Sequence, residues 1–233
     1  MIPIRDTIRS YNFPVINWSI IIVNSLVFLY QLTLSPAALQ SFIRTFGMVP
    51  SHINLANPAS FATLFTNLFL HGGWFHIISN MWVLYIFGDN VEDRMGSGRY
   101  LVFYLLSGLA ANLLQLFFSP GSDVPTIGAS GAIAGVLGGY FLLFPRARVI
   151  TLILLFIFPW FVEIPAVIFL GFWFVTQLFS GLSSLGTAAG MEMGGIAWWA
   201  HVGGFVFGLL LVRIFSRRPR AYQRWYSDEY WPW

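Results

Sequence analysis

Cysteine is absent from the 233 residues, which excludes disulfides, thiolate metal sites and a cysteine nucleophile. Charge is scarce, at 9% of side chains against 57% hydrophobic, where a soluble domain carries about a quarter charged residues. A soluble fold of this size could not hide so much apolar surface, so the solvent implied is a bilayer. The charges are also unevenly spread. None falls between Arg9 and Arg44, between Arg44 and Asp89, or between Arg148 and Glu163. Hydrocarbon spans separated by wet loops produce that pattern. A net charge of +3 does not indicate a nucleic-acid partner, because the arginines flank apolar spans and form no compact basic domain. No internal repeat and no second domain are visible.

A spanning helix needs roughly 17–25 apolar residues. Six stretches meet or approach this: Val15–Leu34, Trp74–Val91, Tyr100–Phe118, Gly128–Phe144, Ile164–Gly181 and Ile196–Phe215. The first is too long for a signal-peptide core and reads as a retained helix. The expected fold is therefore an all-α, polytopic bundle of six transmembrane helices over residues 15–215. A segment 1–14 precedes it, and a basic, aromatic tail, 216–233, follows at the membrane surface. Ser35–Gly73, with Pro36, Pro50 and Pro58, reads as a loop of short amphipathic pieces in the interface. Val149–Phe158 is apolar but too short to span, and reads as interfacial or re-entrant. Gly181–Gly195, rich in Gly, Ser and Ala, reads as a loop before the last helix.

With six spans, eleven of the arginines fall on the side that holds both termini, and Arg44 alone lies opposite. The positive-inside rule then puts both termini in the cytoplasm, which suits a bacterial inner membrane. Five or seven spans would divide the arginines between the two sides.

Polar residues inside spans are functional suspects. Three motifs carry them: Gly128-Ala129-Ser130-Gly131 opening the fourth span, Ala200-His201-Val202-Gly203-Gly204 early in the sixth, and His76-Ile77-Ile78-Ser79-Asn80 early in the second. All three begin on the outer side, so Ser130, His201, His76 and Asn80 are expected at a similar depth. Gly131, Gly135 and Gly139 form one small-residue stripe, and Gly204 and Gly208 another. Facing stripes of this kind let membrane helices approach closely. Ser130 and His201 would then come within hydrogen-bond reach.

A serine hydroxyl is a weak nucleophile until a base takes its proton, and imidazole has a suitable pKa. No acid is placed to orient His201, so the unit is a dyad. His76 and Asn80, at i and i+4, share a helix face from which donors can stabilise an oxyanion. Ser130, near a helix start, adds backbone N–H groups.

Each motif alone has a plainer explanation. Gly-x-Ser-Gly in a membrane helix is more often packing, a His-xxx-Asn pair is as often an interhelical hydrogen bond, and a lone histidine is as often a cap. Their coincidence at one depth favours a site. His71 reads as a cap or cavity residue and His52 as an ordinary loop residue. Trp74, Trp198 and Trp199 read as interfacial anchors, and Glu92 and Gly96 as structural.

Together, in this order, the motifs resemble the rhomboid family of intramembrane serine proteases, in its basic six-helix bacterial form, over nearly the whole chain. The residues carrying the resemblance include Met81 after Asn80, Gly208, and Glu92-xxx-Gly96. The resemblance implies Ser130 as nucleophile and His201 as base. It implies an oxyanion hole from the Ser130 N–H with the His76 and Asn80 side chains, and a water-accessible cavity lined by His71. It also implies transmembrane proteins as substrates and no metal or cofactor. Two features depart from the family pattern. The first loop lacks the Trp-Arg pair of many relatives, and Ala134 stands where some relatives place an aromatic residue supporting the catalytic histidine. A catalytically silent rhomboid-like protein that binds membrane helices is the alternative, although such proteins lack the Ser or the His. A channel would need polar groups running on to the inner side, where these helices are apolar.

Overall fold

The computed structural model describes residues 1–155, 158–185 and 196–217. Among these residues, eight helices follow in chain order: α1 (Val15–Thr33), α2 (Pro36–Phe46), α3 (Thr63–Thr66), α4 (Trp74–Met95), α5 (Ser97–Phe118), α6 (Ser130–Leu143), α7 (Ala166–Leu185) and α8 (Trp198–Phe215). Four of them, α1, α5, α7 and α8, are long and apolar enough to cross a membrane. Helix α4 has the length, at 22 residues, but ends in Asp89, Glu92, Asp93 and Arg94. Helix α6 is apolar but has only 14 residues.

The sequence between α1 and α4 breaks into short pieces, as expected. Ser35 caps α2 by accepting from the Ala38 N–H at 3.3 Å, with Pro36 at the first helical position. No residue of α2 is buried, so it lies on the surface of the bundle. Three 3₁₀ turns, Pro50–His52, Pro58–Ala62 and Asn67–Phe69, and the single turn α3 lead on to α4.

The expectation of an all-α fold needs correction. Ile2–Asp6 (β1), Arg148–Leu155 (β2) and Phe158–Pro165 (β3) form an antiparallel sheet in the order β1-β2-β3. The apolar stretch read as interfacial or re-entrant is thus a hairpin. Its composition explains this: Val149, Ile150, Thr151 and Ile153 are β-branched, and Pro159 and Pro165 stop any helix from forming across it. The first segment, 1–14, supplies the third strand. The Trp82 indole donates to the Pro3 carbonyl at 2.6 Å, and Asn90 Nδ2 donates to Asp6 at 2.9 Å. These two residues of α4 lie about 12 Å apart along its axis, so β1 runs beside that helix.

The core lies where α6 is surrounded by α4, α5 and α8. Glycine makes this packing possible. A Cβ on Gly204 would collide with the Gly131 carbonyl oxygen, and one on Gly208 with that of Gly135. The two small-residue stripes therefore face each other, which is the condition for Ser130 and His201 to meet. Gly131 and Gly135 also abut Ala111 and Ser107 of α5. Gly139 faces Phe103 and Val212 instead.

Candidate active site

Ser130 is the first residue of α6. Its position is set by the turn before it, where Gly128 has φ 123°, a conformation open chiefly to glycine. A side chain there would also lie 2.6 Å from His76 Nε2. The turn is tied down by the Gly128 N–H, which donates to the Asn67 carbonyl at 2.9 Å. Asn67 in turn exchanges two amide hydrogen bonds with Asn112, at 3.0 and 2.9 Å. Asn112 also donates to the Leu64 carbonyl at 2.8 Å.

The close approach of α6 and α8 brings His201 to Ser130. His201 Nε2 lies 2.8 Å from Ser130 Oγ. The other ring nitrogen, Nδ1, lies 2.8 Å from Gln177 Oε1 on α7. Trp173 and Trp198 flank the imidazole, with ring centroids 5.8 and 6.2 Å away. The support that Ala134 cannot give therefore comes from α7 and from the start of α8.

His76 and Asn80 face the same turn from α4, against Gly128. His76 Nδ1 accepts from the Gly72 N–H at 3.3 Å. In the neutral ring this leaves Nε2 as the protonated nitrogen, free to donate toward Gly128 and Ser130. Asn80 is buried, and its Nδ2 has no partner. Unspent buried donors are rare and call for a reason. Such a donor, with His76 Nε2 beside it, next to a serine at a helix start suits an incoming oxygen. His71 is 2% exposed, with neither ring nitrogen bonded, and packs edge-on against His76 at 5.0 Å. Its backbone is clamped by Gln31, which accepts from the His71 N–H at 3.0 Å and donates to the His71 carbonyl at 3.1 Å.

A rhomboid domain model matches residues 58–218, most of the chain. The chain belongs to the rhomboid family. It is 31% identical over 170 residues to Rhomboid protein 1, mitochondrial, of Saccharomyces cerevisiae, covering 68% of this chain and 45% of that protein. It is 29% identical over 161 residues to Rhomboid-like protein 11, chloroplastic, of Arabidopsis thaliana, covering 67% and 53%. A shorter match, 43% identical over 75 residues, joins it to Rhomboid protease GluP of Bacillus subtilis, covering 32% and 14%. This rhomboid chain thus spans about half the length of the first two relatives.

Sequence reasoning overlooked Gln177, Asn67, Asn112 and Gln31. A signal existed for Gln177: it is the only amide in α7 and shares the buried stripe with Ala166, Leu170 and Gly181. One assignment is corrected. Trp199, read as a surface anchor, is 7% exposed and stacks on Phe118 at 3.7 Å. Trp74, 58% exposed, and Trp198 stay at the edge of the bundle. Helix α7 runs on to Leu185, taking in the first five residues of the expected Gly181–Gly195 loop; residues 186–195 and the tail beyond Arg217 lie outside the described residues.

Proposed function

We propose that this rhomboid is a serine endopeptidase that cleaves transmembrane segments of other membrane proteins. The observation that carries the reading is the 2.8 Å contact between Ser130 Oγ and His201 Nε2, made between two apolar helices. Ser130 Oγ attacks the scissile carbonyl carbon as His201 Nε2 takes its proton. Negative charge develops on the carbonyl oxygen and is met by the Ser130 N–H, His76 Nε2 and Asn80 Nδ2. The tetrahedral intermediate collapses to an acyl-enzyme, and His201 gives its proton to the departing amine. Water, deprotonated by His201, then releases the acyl group from Ser130.

The helix lengths support cleavage within the bilayer. Helix α6 has 14 residues and its neighbour α5 has 22. At 1.5 Å per residue α6 is about 12 Å the shorter, so Ser130 stops below the outer surface. A substrate helix must unwind there, because its carbonyls are shielded and hydrogen-bonded. Helix-breaking residues in the substrate lower that cost. We read α1, α4, α5, α6, α7 and α8 as six spans in a bacterial inner membrane, with both termini cytoplasmic and the site toward the outer face. The arginine distribution supports this orientation.

The test is cleavage of a single-span substrate in liposomes by wild type, Ser130→Ala and His201→Ala. Wild-type cleavage lost in both variants is the expected result. Wild type that neither cleaves nor reacts with a fluorophosphonate leaves a silent membrane-helix binder as the better reading.

A further inference from the structure

We infer that Gln177 is a positioning residue that sets the tautomer of His201, a role that rests on the protease reading above.

Gln177 Nε2 lies 3.2 Å from the Trp173 carbonyl oxygen and 3.1 Å from Thr176 Oγ1. A carbonyl oxygen can only accept. The Thr176 hydroxyl proton is itself given to the Trp173 carbonyl, at 2.6 Å, so Thr176 Oγ1 also accepts from the amide. Both partners on this side of the glutamine therefore require its NH₂ group. The side-chain orientation is fixed by chemistry, and the oxygen Oε1 must face His201.

That oxygen has no proton to give. At 2.8 Å the bond exists only if His201 Nδ1 carries the hydrogen. A neutral imidazole has a single N–H, so Nε2 is left with its lone pair. Nε2 is the atom 2.8 Å from Ser130 Oγ. The chain of polarity runs from Ser130 O–H to His201 Nε2, then from Nδ1–H to Gln177 Oε1, then from the Gln177 N–H groups to helix α7. Without Gln177 the ring is free to protonate Nε2, and a histidine in that tautomer cannot take the serine proton. An acid commonly does this orienting in serine hydrolases. Here a neutral amide does it, avoiding a buried charge inside a membrane domain.

The location has a mechanical consequence. Gln177 rides on α7, whose first residue is tied by the Ala166 N–H to the Ala147 carbonyl at 2.8 Å, and whose other buried residues, Leu170 and Gly181, hold it by packing. Outward displacement of α7 by more than about 1 Å would stretch the bond past its working range. The base is therefore set only while α7 sits against α8.

The experiment uses the full chain in liposomes or bicelles. ¹⁵N chemical shifts of the His201 ring, assigned by comparison with His201→Ala, report which nitrogen is protonated. The expected result is Nδ1–H in wild type and a mixed population in Gln177→Met. With a cleavable single-span substrate, Gln177→Met is expected to lower kcat about ten- to a hundredfold at unchanged KM. Gln177→Glu keeps an acceptor at the same place and is expected to restore most of the loss. Nε2–H in wild type overturns the inference, as does full kcat in Gln177→Met or a change confined to KM. If Gln177→Met does not fold, the wild-type tautomer and the Gln177→Glu kinetics decide. Failure of the protease reading is separable, since wild type would then neither cleave nor label Ser130, whatever the tautomer.

Discussion

Two polar clusters lie toward opposite ends of α4 and are finished differently. At the arginine-rich end, the Glu92 carboxylate accepts from the Ile16 and Asn17 N–H groups at 3.1 and 2.7 Å and from Ser97 Oγ at 2.6 Å. It thereby caps α1, whose own N-cap, Pro14, offers no side chain. Asn17 is completed by Leu84 O at 3.1 Å and Tyr100 OH at 2.7 Å. At the Ser130 end, Asn80 Nδ2 and both nitrogens of His71 are buried without partners. A cluster that satisfies its own groups holds helices together. One that leaves buried donors unspent is organised for something that arrives.

Gly204→Ala should have the largest effect. The new methyl meets a backbone oxygen that cannot swing aside, so α6 and α8 must separate and Ser130 must part from His201. We expect cleavage to vanish and thermal stability in detergent to fall by more than 4 kcal/mol, on the order of the largest core effects. A stable variant that cleaves normally would show that the glycine contact does not set the dyad.

His76→Ala and Asn80→Ala come next. Each should lower kcat about 10²–10³-fold, with the melting temperature nearly unchanged, because neither side chain's free donor holds the fold. Loss of stability without loss of rate would make the Ser130 end a structural cluster like the other.

Glu92→Ala should do the reverse. Removing the cap leaves buried N–H groups unpaired and should cost about 2 kcal/mol of stability. The folded fraction, counted by fluorophosphonate labelling, should keep its turnover per site. A drop in turnover per labelled site would tie the two ends together.

The smallest effect concerns Asp6, whose carboxyl accepts from the Tyr140 hydroxyl and from Asn90. Burial pushes this carboxyl up to about 7, with Asp89 adding to the rise and the Tyr140 hydrogen bond opposing it. An unfolded aspartate titrates near 3.9. A carboxyl raised on folding lends its full stability below about pH 4, and that contribution is lost as pH rises through about 7. Amide exchange in β1, corrected for intrinsic rates, should therefore speed up as pH rises from about 5 to about 8. Asp6→Asn should flatten the profile, and an unchanged slope in that variant would assign the effect to another group.

Much of this was legible in the chain, for definite reasons. Hydrocarbon tolerates few charges, so composition and arginine spacing declare a membrane protein and outline its helices. Glycines every fourth residue mark the faces where helices touch, and polar residues in apolar spans mark the site. Those rules placed Ser130, His201, His76 and Asn80 on their helices and marked the α6 and α8 stripes that the structure pairs.

Tertiary structure decided the rest. The pairing of Ile2–Asp6 with a hairpin about 145 residues away depends on long-range hydrogen bonds that no local period announces. Trp199 could not be told from a surface anchor, because a tryptophan near a helix start serves either role until Phe118 stacks on it. Gln177 was visible as the lone amide of α7, yet its meaning depends on which nitrogen of His201 it meets. Residue type and spacing alone fix the solvent, the apolar helices and the polar residues proposed to react. Only the packed structure decided how the histidine is oriented, because a hydrogen bond's direction depends on the partners that surround both of its ends.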